Sequence, residues 1–351
     1  MLSNDKKMEA VLTSLENFLI QQVEPIANKA DADPLVLKTL FEQFKTLGLL
    51  ALFAPESQGG NGFDLATIHA CSQLMASYSG ALYLLQAQHQ GCVRMLAKEA
   101  DGPAQSLIAE MRYGKPGIGI AISHLRRVDN PPLRGKKNAD GYEVSGTLLW
   151  ASGFNIFDQL MVGFITDDQK EVYCILPFQN TKQSGTSYIE YSTLFELCAL
   201  TGTSTVGAKI ERWQVAQKDI LFVKEVGAFL GRSRRNFNPI MAMLGAAQAA
   251  LRTIKNHEPA QRYSQSLEHF EGQLKQYQEQ VLLLLASDSD TTLLRVEIQQ
   301  FALHVIQAGV LMIGGRATLA DAALQRLYRE LLQYSVWGHY QATVEAFLTE
   351  A

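Results

Sequence analysis

The chain has little that would tie it together covalently or draw it to a charged polymer. Its four cysteines, Cys71, Cys92, Cys174 and Cys198, lie far apart with no C-x-x-C pair. That spacing argues against a disulfide framework or a metal site and fits a reducing cytosol. The formal net charge is −4, so no global basic field points to nucleic acid. One short basic stretch, Arg126-Arg127 followed by Arg134-Gly135-Lys136-Lys137, reads as a solvated loop rather than a phosphate-binding patch. The N-terminal residues lack the apolar core of a secretory signal. No apolar run reaches the ~20 residues needed to span a bilayer, and the run Val281 to Ala286 stops at Ser287-Asp288. These absences predict a cytoplasmic protein with no membrane or nucleic-acid partner. No internal repeat or low-complexity tract is present.

What is there suits a multi-module globular protein. Hydrophobic residues are 47% and charged residues 19% of 351, enough for a large core and two or three modules. Residues 1–114 read as helical. Val11, Leu15, Phe18 and Leu19, then Leu37, Leu40, Phe41, Phe44 and Leu47, recur at helical spacing. Asp33-Pro34 reads as a cap with a first-turn proline, Gly48 as a helix end, and Asp64 as a second cap before Ile68, Cys71, Leu74 and Met75. Residues 115–228 carry short β-branched runs between turn signals: 117–123, 141–146, 159–165, 171–176, around Ile210, and 220–223. With no long helical pattern between them, the sheet is predicted to be mainly antiparallel, a barrel or sandwich. Residues 229–351 return to helical stripes, marked by Met241 to Ile254, Leu267 to Leu284, Phe301 to Met312 and Leu324 to Leu332. Four such stripes bury one another in a bundle.

Four stretches give this order of modules a family likeness. They are Pro55-Glu56-Ser57-Gln58-Gly59-Gly60-Asn61-Gly62, Ile118 to Ser123, Gly141 to Ser152, and Gly314-Gly315-Arg316 followed by Tyr328-Arg329-Glu330. Together they resemble the acyl-CoA dehydrogenase family of flavoproteins, the third being the most specific. The resemblance implies an α+β multidomain fold: an N-terminal helical domain, a middle antiparallel β-barrel domain and a C-terminal four-helix bundle. It implies FAD as cofactor, with Ser123 at the pyrimidine end of the flavin and Trp150, Ala151 and Ser152 beside the reactive ring. It also implies a small-molecule substrate such as an acyl-CoA, and a homodimer or homotetramer. The chemistry of the third stretch has its own logic. An indole offers a rigid surface to a flat, electron-poor ring, and a nearby hydroxyl tunes its electronics. Trp150 and Ser152, two apart on a strand, are expected on one side.

The departures are equally specific. After Ser123 the family's glycine-rich phosphate loop is replaced by His124-Leu125-Arg126-Arg127. Arg126 or Arg127 could supply charge in place of backbone donors, and His124 reads as an ordinary polar loop residue. The family's α-proton base is a glutamate, which needs a dry pocket to act at neutral pH. At its usual place stand Trp337 and Gly338, and at the alternative place on the first bundle helix stand Arg234-Arg235-Asn236-Phe237. His339 is the nearest candidate base. The expected function is therefore a flavin-dependent oxidoreductase acting on an acyl thioester or similar substrate. A flavin monooxygenase on the same scaffold, or a non-catalytic flavin- or acyl-binding member, is the alternative.

Overall fold

A computed structural model describes residues 4–99, 104–232, 236–257, 262–338 and 341–350. The helical first part comprises α1 (Asn4–Phe18), α2 (Ala27–Ala32), α3 (Pro34–Lys45), α4 (Leu65–Ala76), α5 (Gly80–Lys98) and α6 (Ala104–Met111). The caps are where the sequence places them. The Asp33 carboxylate accepts from Leu35 N at 2.8 Å, and that of Asp64 from Thr67 N at 2.8 Å. Each satisfies an amide that a helix start leaves without an intrahelical partner. α3 buries Leu37, Leu40, Phe41 and Phe44 on one stripe. α5 is the spine of this part: Ser79 caps it through Leu82 N, and it is buried along most of its length.

The sheet contains β1 (Ile118–Ala121), β2 (Leu133–Lys137), β3 (Gly141–Ala151), β4 (Gln159–Thr166), β5 (Lys170–Pro177), β6 (Thr181–Lys182), β7 (Tyr188–Tyr191), β8 (Val206–Ala216) and β9 (Ile220–Glu225). Strands pair in the order β6-β7-β8-β3-β2-β4-β5-β9, with β1 also on β4. The expected closed barrel is not found. Among the described residues β6 pairs only with β7 and β9 only with β5, so the sheet stays open. It is mostly antiparallel, but β1 and β2 run parallel to β4. The cause lies in the chain path: β1 is laid beside β4 by packing against α5 instead of joining a hairpin. The second half of the basic stretch read as a loop, Arg134 to Lys137, lies in β2. Arg134, Lys136 and Lys137 are exposed, and Gly135 lies under the Phe164 ring where a Cβ would collide. Alternation thus keeps the charges in water.

The last part comprises α7 (Ala228–Arg232), α8 (Asn238–Lys255), α9 (Ser264–Leu285), α10 (Thr292–Ile313), α11 (Ala323–Val336) and α12 (Gln341–Glu350). α8 is the bundle's centre, touching α9, α10 and α11, and it also packs on α4 and α5. One buried apolar cluster therefore joins Phe41 and Leu82 of the first part, Val144 and Leu160 of the sheet, and Leu244 and Leu327 of the bundle. The stretch Thr292–Thr318 is long and apolar enough to cross a membrane by length and composition, although polar residues interrupt its apolar run. Its Val296, Ile298, Phe301, Val305 and Ile306 are nonetheless buried within the bundle. Arg295 on the same helix donates to the carbonyls of Tyr334, Ser335 and Trp337 that α11 leaves open at its C-terminus.

Candidate functional site

Strand β3 delivers the most specific motif to the edge of the core. Gly146 holds φ +136°, and a Cβ there would strike the Pro132 carbonyl. Only glycine meets both demands, so this part of the motif is structural. The strand then ends at Ala151, which is buried, while the preceding Trp150 side chain is 51% exposed. Its indole rests edge-on against Phe195, with centroids 5.0 Å apart. Ser152 follows with its hydroxyl 2.8 Å from that of Thr205. Phe195 N donates to Thr205 O, so Trp150 and Ser152 meet one and the same neighbouring segment.

That segment is tightly set. The Thr205 hydroxyl lies 3.3 Å from Thr203 Oγ1, which donates to Leu200 O at 2.6 Å. Leu200 and Ser204 both hold left-handed backbone, φ +60° and +52°, on either side of the turn Thr201–Thr203. Such strain persists only where surroundings over-determine it. Here Gly153 N and Phe154 N donate to the carbonyls of Thr203 and Ser204, and Leu200 N donates to the buried Asp31 carboxylate at 2.7 Å. The hydroxyl run Thr203-Ser204-Thr205 is a part of the site that sequence reading missed, although three consecutive hydroxyl residues before a strand were visible.

Strand β1 runs beside this end, since a Cβ on Gly119 would lie 3.3 Å from Ser152 O. Ser123 opens the short turn Ser123–Arg126 after β1 and is exposed. The residues following it do not form an open loop. His124 is buried, with Nε2 donating to Gly163 O at 2.6 Å, and Leu125 is buried against Gly163. Burial lowers the His124 pKa to about 4, so the expectation of an ordinary polar loop residue gives way to a neutral core histidine. Arg126 lies over the Phe229 ring at 5.3 Å, whereas Arg127 is exposed.

Of the residues at the two places where the resemblance puts a glutamate, Asn236, Phe237, Trp337 and Gly338 are described, and none is a carboxylate. Trp337 is half-buried, 5.8 Å from the Tyr83 ring and 6.5 Å from that of Tyr334. Tyr83 Oη donates to Asn238 O at 3.1 Å at the start of α8. Phe237, the residue before α8, is buried and packs 5.2 Å from the His69 ring. Tyr83 thus touches Trp337 with its ring and the start of α8 with its hydroxyl. Arg234, Arg235, His339 and Tyr340 lie outside the described residues. A separate 350 Å³ groove on α9 and α10 is lined by Gln265, His269, Phe270 and His304.

Comparison with known proteins shows a likeness in the N-terminal part and in the fold. Residues 5–102 match the family model described as acyl-CoA dehydrogenase, N-terminal domain. A curated relative, the 3-(aryl)acrylate reductase of Clostridium sporogenes, is 20% identical over 364 residues, spanning 96% of this chain and 95% of that protein. The structure of a glutaryl-CoA dehydrogenase from Mycobacterium smegmatis in complex with FADH2 is similar with a TM-score of 0.81. Its identity is 13%, over 99% of this chain and 95% of that one. Nitrososynthase from Micromonospora carbonacea var. africana gives a TM-score of 0.77 at 17% identity, over 99% and 96% of the two chains.

Proposed function

We propose that this chain, which belongs with the acyl-CoA dehydrogenases by its N-terminal domain and its fold, is an FAD-dependent oxidoreductase acting on an acyl thioester or similar substrate. The observation that carries the reading is the half-exposed Trp150 indole at the end of β3, beside the Ser152–Thr205 hydroxyl pair. Large aromatic side chains are normally buried, so an indole left facing outward, next to two positioned hydroxyls, suits a flat heteroaromatic ring. The residues fit the ring end of a flavin: Trp150 would pack on it, the Ser152 hydroxyl or backbone would face its polar edge, and Ser123 would meet the pyrimidine end. The phosphate end is less prepared, because His124 and Leu125 turn into the core and Arg126 stacks on Phe229. Arg127 is the exposed cation of that turn.

When bound, the flavin would supply hydride acceptance or donation. The protein's own part is to hold the ring, exclude water and handle the substrate proton. The lack of a carboxylate among the described residues at both glutamate places favours a reaction that does not begin with carboxylate removal of an α-proton. A flavin monooxygenase, or a non-catalytic flavin- or acyl-binding protein, is therefore the second reading. Exposed apolar side chains on the bundle helices, Leu283, Leu311 and Leu332 among them, support a homodimer or homotetramer. A cytoplasmic location fits a chain with only free cysteines among the described residues.

Anaerobic titration separates the readings. The oxidoreductase predicts that the flavin-loaded protein bleaches when an acyl-CoA is added, or that the reduced protein reoxidises with an unsaturated one. Reoxidation only by oxygen, with an oxygenated product, would mark a monooxygenase. A flavin indifferent to both would mark a binding protein.

A further inference from the structure

Three hydroxyls stand in line behind the Trp150 end of β3. Thr203 Oγ1 lies 2.6 Å from Leu200 O, Thr205 Oγ1 lies 3.3 Å from Thr203 Oγ1, and Ser152 Oγ lies 2.8 Å from Thr205 Oγ1. Thr203 and Thr205 are buried, whereas Ser152 is half-buried. The line therefore runs from a backbone carbonyl in the core to one hydroxyl at its edge.

Each hydroxyl has one hydrogen to give and two lone pairs to receive. A carbonyl only accepts, so the Thr203 hydrogen is committed to Leu200 O. Toward Thr205, Thr203 is then an acceptor, and Thr205 meets it by donating. The opposite sense would set two lone pairs face to face in a buried place. The Thr203–Thr205 link is long for a hydroxyl pair, but it fixes the sense because Thr203 has no hydrogen left to offer. With its own hydrogen spent, Thr205 accepts from Ser152. Ser152 thus gives its hydrogen inward and turns only lone pairs outward.

The carbonyl that orders the line is itself held. Leu200 N donates to the Asp31 carboxylate at 2.7 Å, Leu200 and Ser204 keep left-handed backbone, and a Cβ on Gly202 would strike Ala30 O. The end of α2 therefore grips the turn from which the order of donors starts.

We propose that Thr203 and Thr205 are positioning residues that polarise the Ser152 hydroxyl, so that it meets the flavin ring as an acceptor and holds the reduced form more tightly than the oxidised one. The ring nitrogen that exchanges hydride is a bare acceptor in oxidised flavin and an N–H donor in reduced flavin. An outward lone pair on Ser152 pairs with the second and repels the first, which is one way a protein tunes a cofactor's electronics. This polarity rests on the flavin reading of the β3 end and adds to it the sense of one hydrogen bond.

The test is the two-electron reduction potential of bound FAD, followed anaerobically by its visible spectrum, together with the dissociation constants of FAD before and after dithionite reduction. Ser152→Ala should weaken reduced FAD about tenfold more than oxidised FAD, which lowers the potential by about 30 mV. Thr203→Val should lower it by at least as much, because Thr205 then donates to Ser152 and the serine hydrogen turns outward. Thr203→Ser should keep the wild-type potential, and Thr203→Val in a Ser152→Ala background should add nothing. If Thr203→Val does not fold, the sign of the Ser152→Ala shift decides alone. A raised or unchanged potential in Ser152→Ala, or a Thr203→Val effect that persists without the serine hydroxyl, would overturn the polarity while retained FAD left the flavin reading standing. Failure of the wild type to retain FAD would overturn both.

Discussion

At pH 8, replacing Glu330 by alanine should destabilise the protein by roughly 3–5 kcal/mol, the usual cost of removing one partner of a buried ion pair. Glu330 on α11 is fully buried, and its Oε1 lies 3.4 Å from Arg326 Nε, itself buried. Tyr334 Oη donates to Glu330 Oε2 at 3.4 Å, and α5 begins against the same carboxylate at Gly80. A Cβ on Gly80 would collide with Tyr334 Oη, which is why α5 starts on glycine. Without Glu330, a guanidinium that cannot release its proton stays buried, with the Asp31 charge nearby. The chosen pH matters because burial pushes the Glu330 pKa up to about 7, despite Arg326. Above it the carboxylate is ionised and the pair is complete. Glu271→Ala, which breaks an exposed pair with Lys255, should cost under about 1 kcal/mol. Urea midpoints for the two variants give the comparison, and equal small shifts would show that the buried pair contributes little.

Acidification from pH 7 to 5 should remove about 3 kcal/mol of stability, and three histidines are the cause. His69, His89 and His124 are buried and neutral, each with a pKa lowered to about 4 from an ordinary 6.5. Between those values the unfolded chain binds more protons than the native one, so stability falls as pH falls. By pH 5 each contributes a loss of about 2 kcal/mol. Glu330 has the opposite sign. Its raised pKa means that the native state holds the extra proton between about 4.5 and 7, which offsets about 2 kcal/mol of the loss from pH 7 to 5. The buried Asp31, also raised, works in the same direction as Glu330. His124→Gln keeps a donor for Gly163 O and removes one titration, so it should flatten the pH dependence by about 2 kcal/mol at pH 5. Denaturation midpoints at pH 7 and 5 read both effects. A wild type as stable at pH 5 as at pH 7 would contradict the assignment of three neutral buried rings.

The elements that sequence reading found are those with a single clear face. α3, α8, α9 and α11 have apolar stripes, β4 and β5 are apolar runs between turns, and Asp33 and Asp64 announce helix starts through their side chains. β2 was hidden because its alternation reads Leu-Arg-Gly-Lys-Lys, with a glycine standing where an apolar residue would signal a core. β6 and β7 are too short and polar to register. Sheet closure was not legible at all, since it depends on which edge strands find partners far away in sequence. The site was legible in part. Trp150 and Ser152 sit on a motif whose glycines have local backbone reasons, so the pattern survives in one sequence. Thr205 was not picked out because a hydroxyl becomes a site residue only through what folds against it. His124 appeared solvated because the turn that carries it was expected to stay open.

The most direct test of the central claim is flavin retention by the purified chain. Wild-type protein mixed with excess FAD and desalted should keep a yellow chromophore, its flavin fluorescence quenched by the Trp150 indole. Trp150→Ala, with unchanged folding, should bind roughly tenfold more weakly, about 1.4 kcal/mol, as the loss of an aromatic surface implies. A colourless protein after incubation with FAD, or a Trp150→Ala variant that holds FAD as tightly as the wild type, would contradict it.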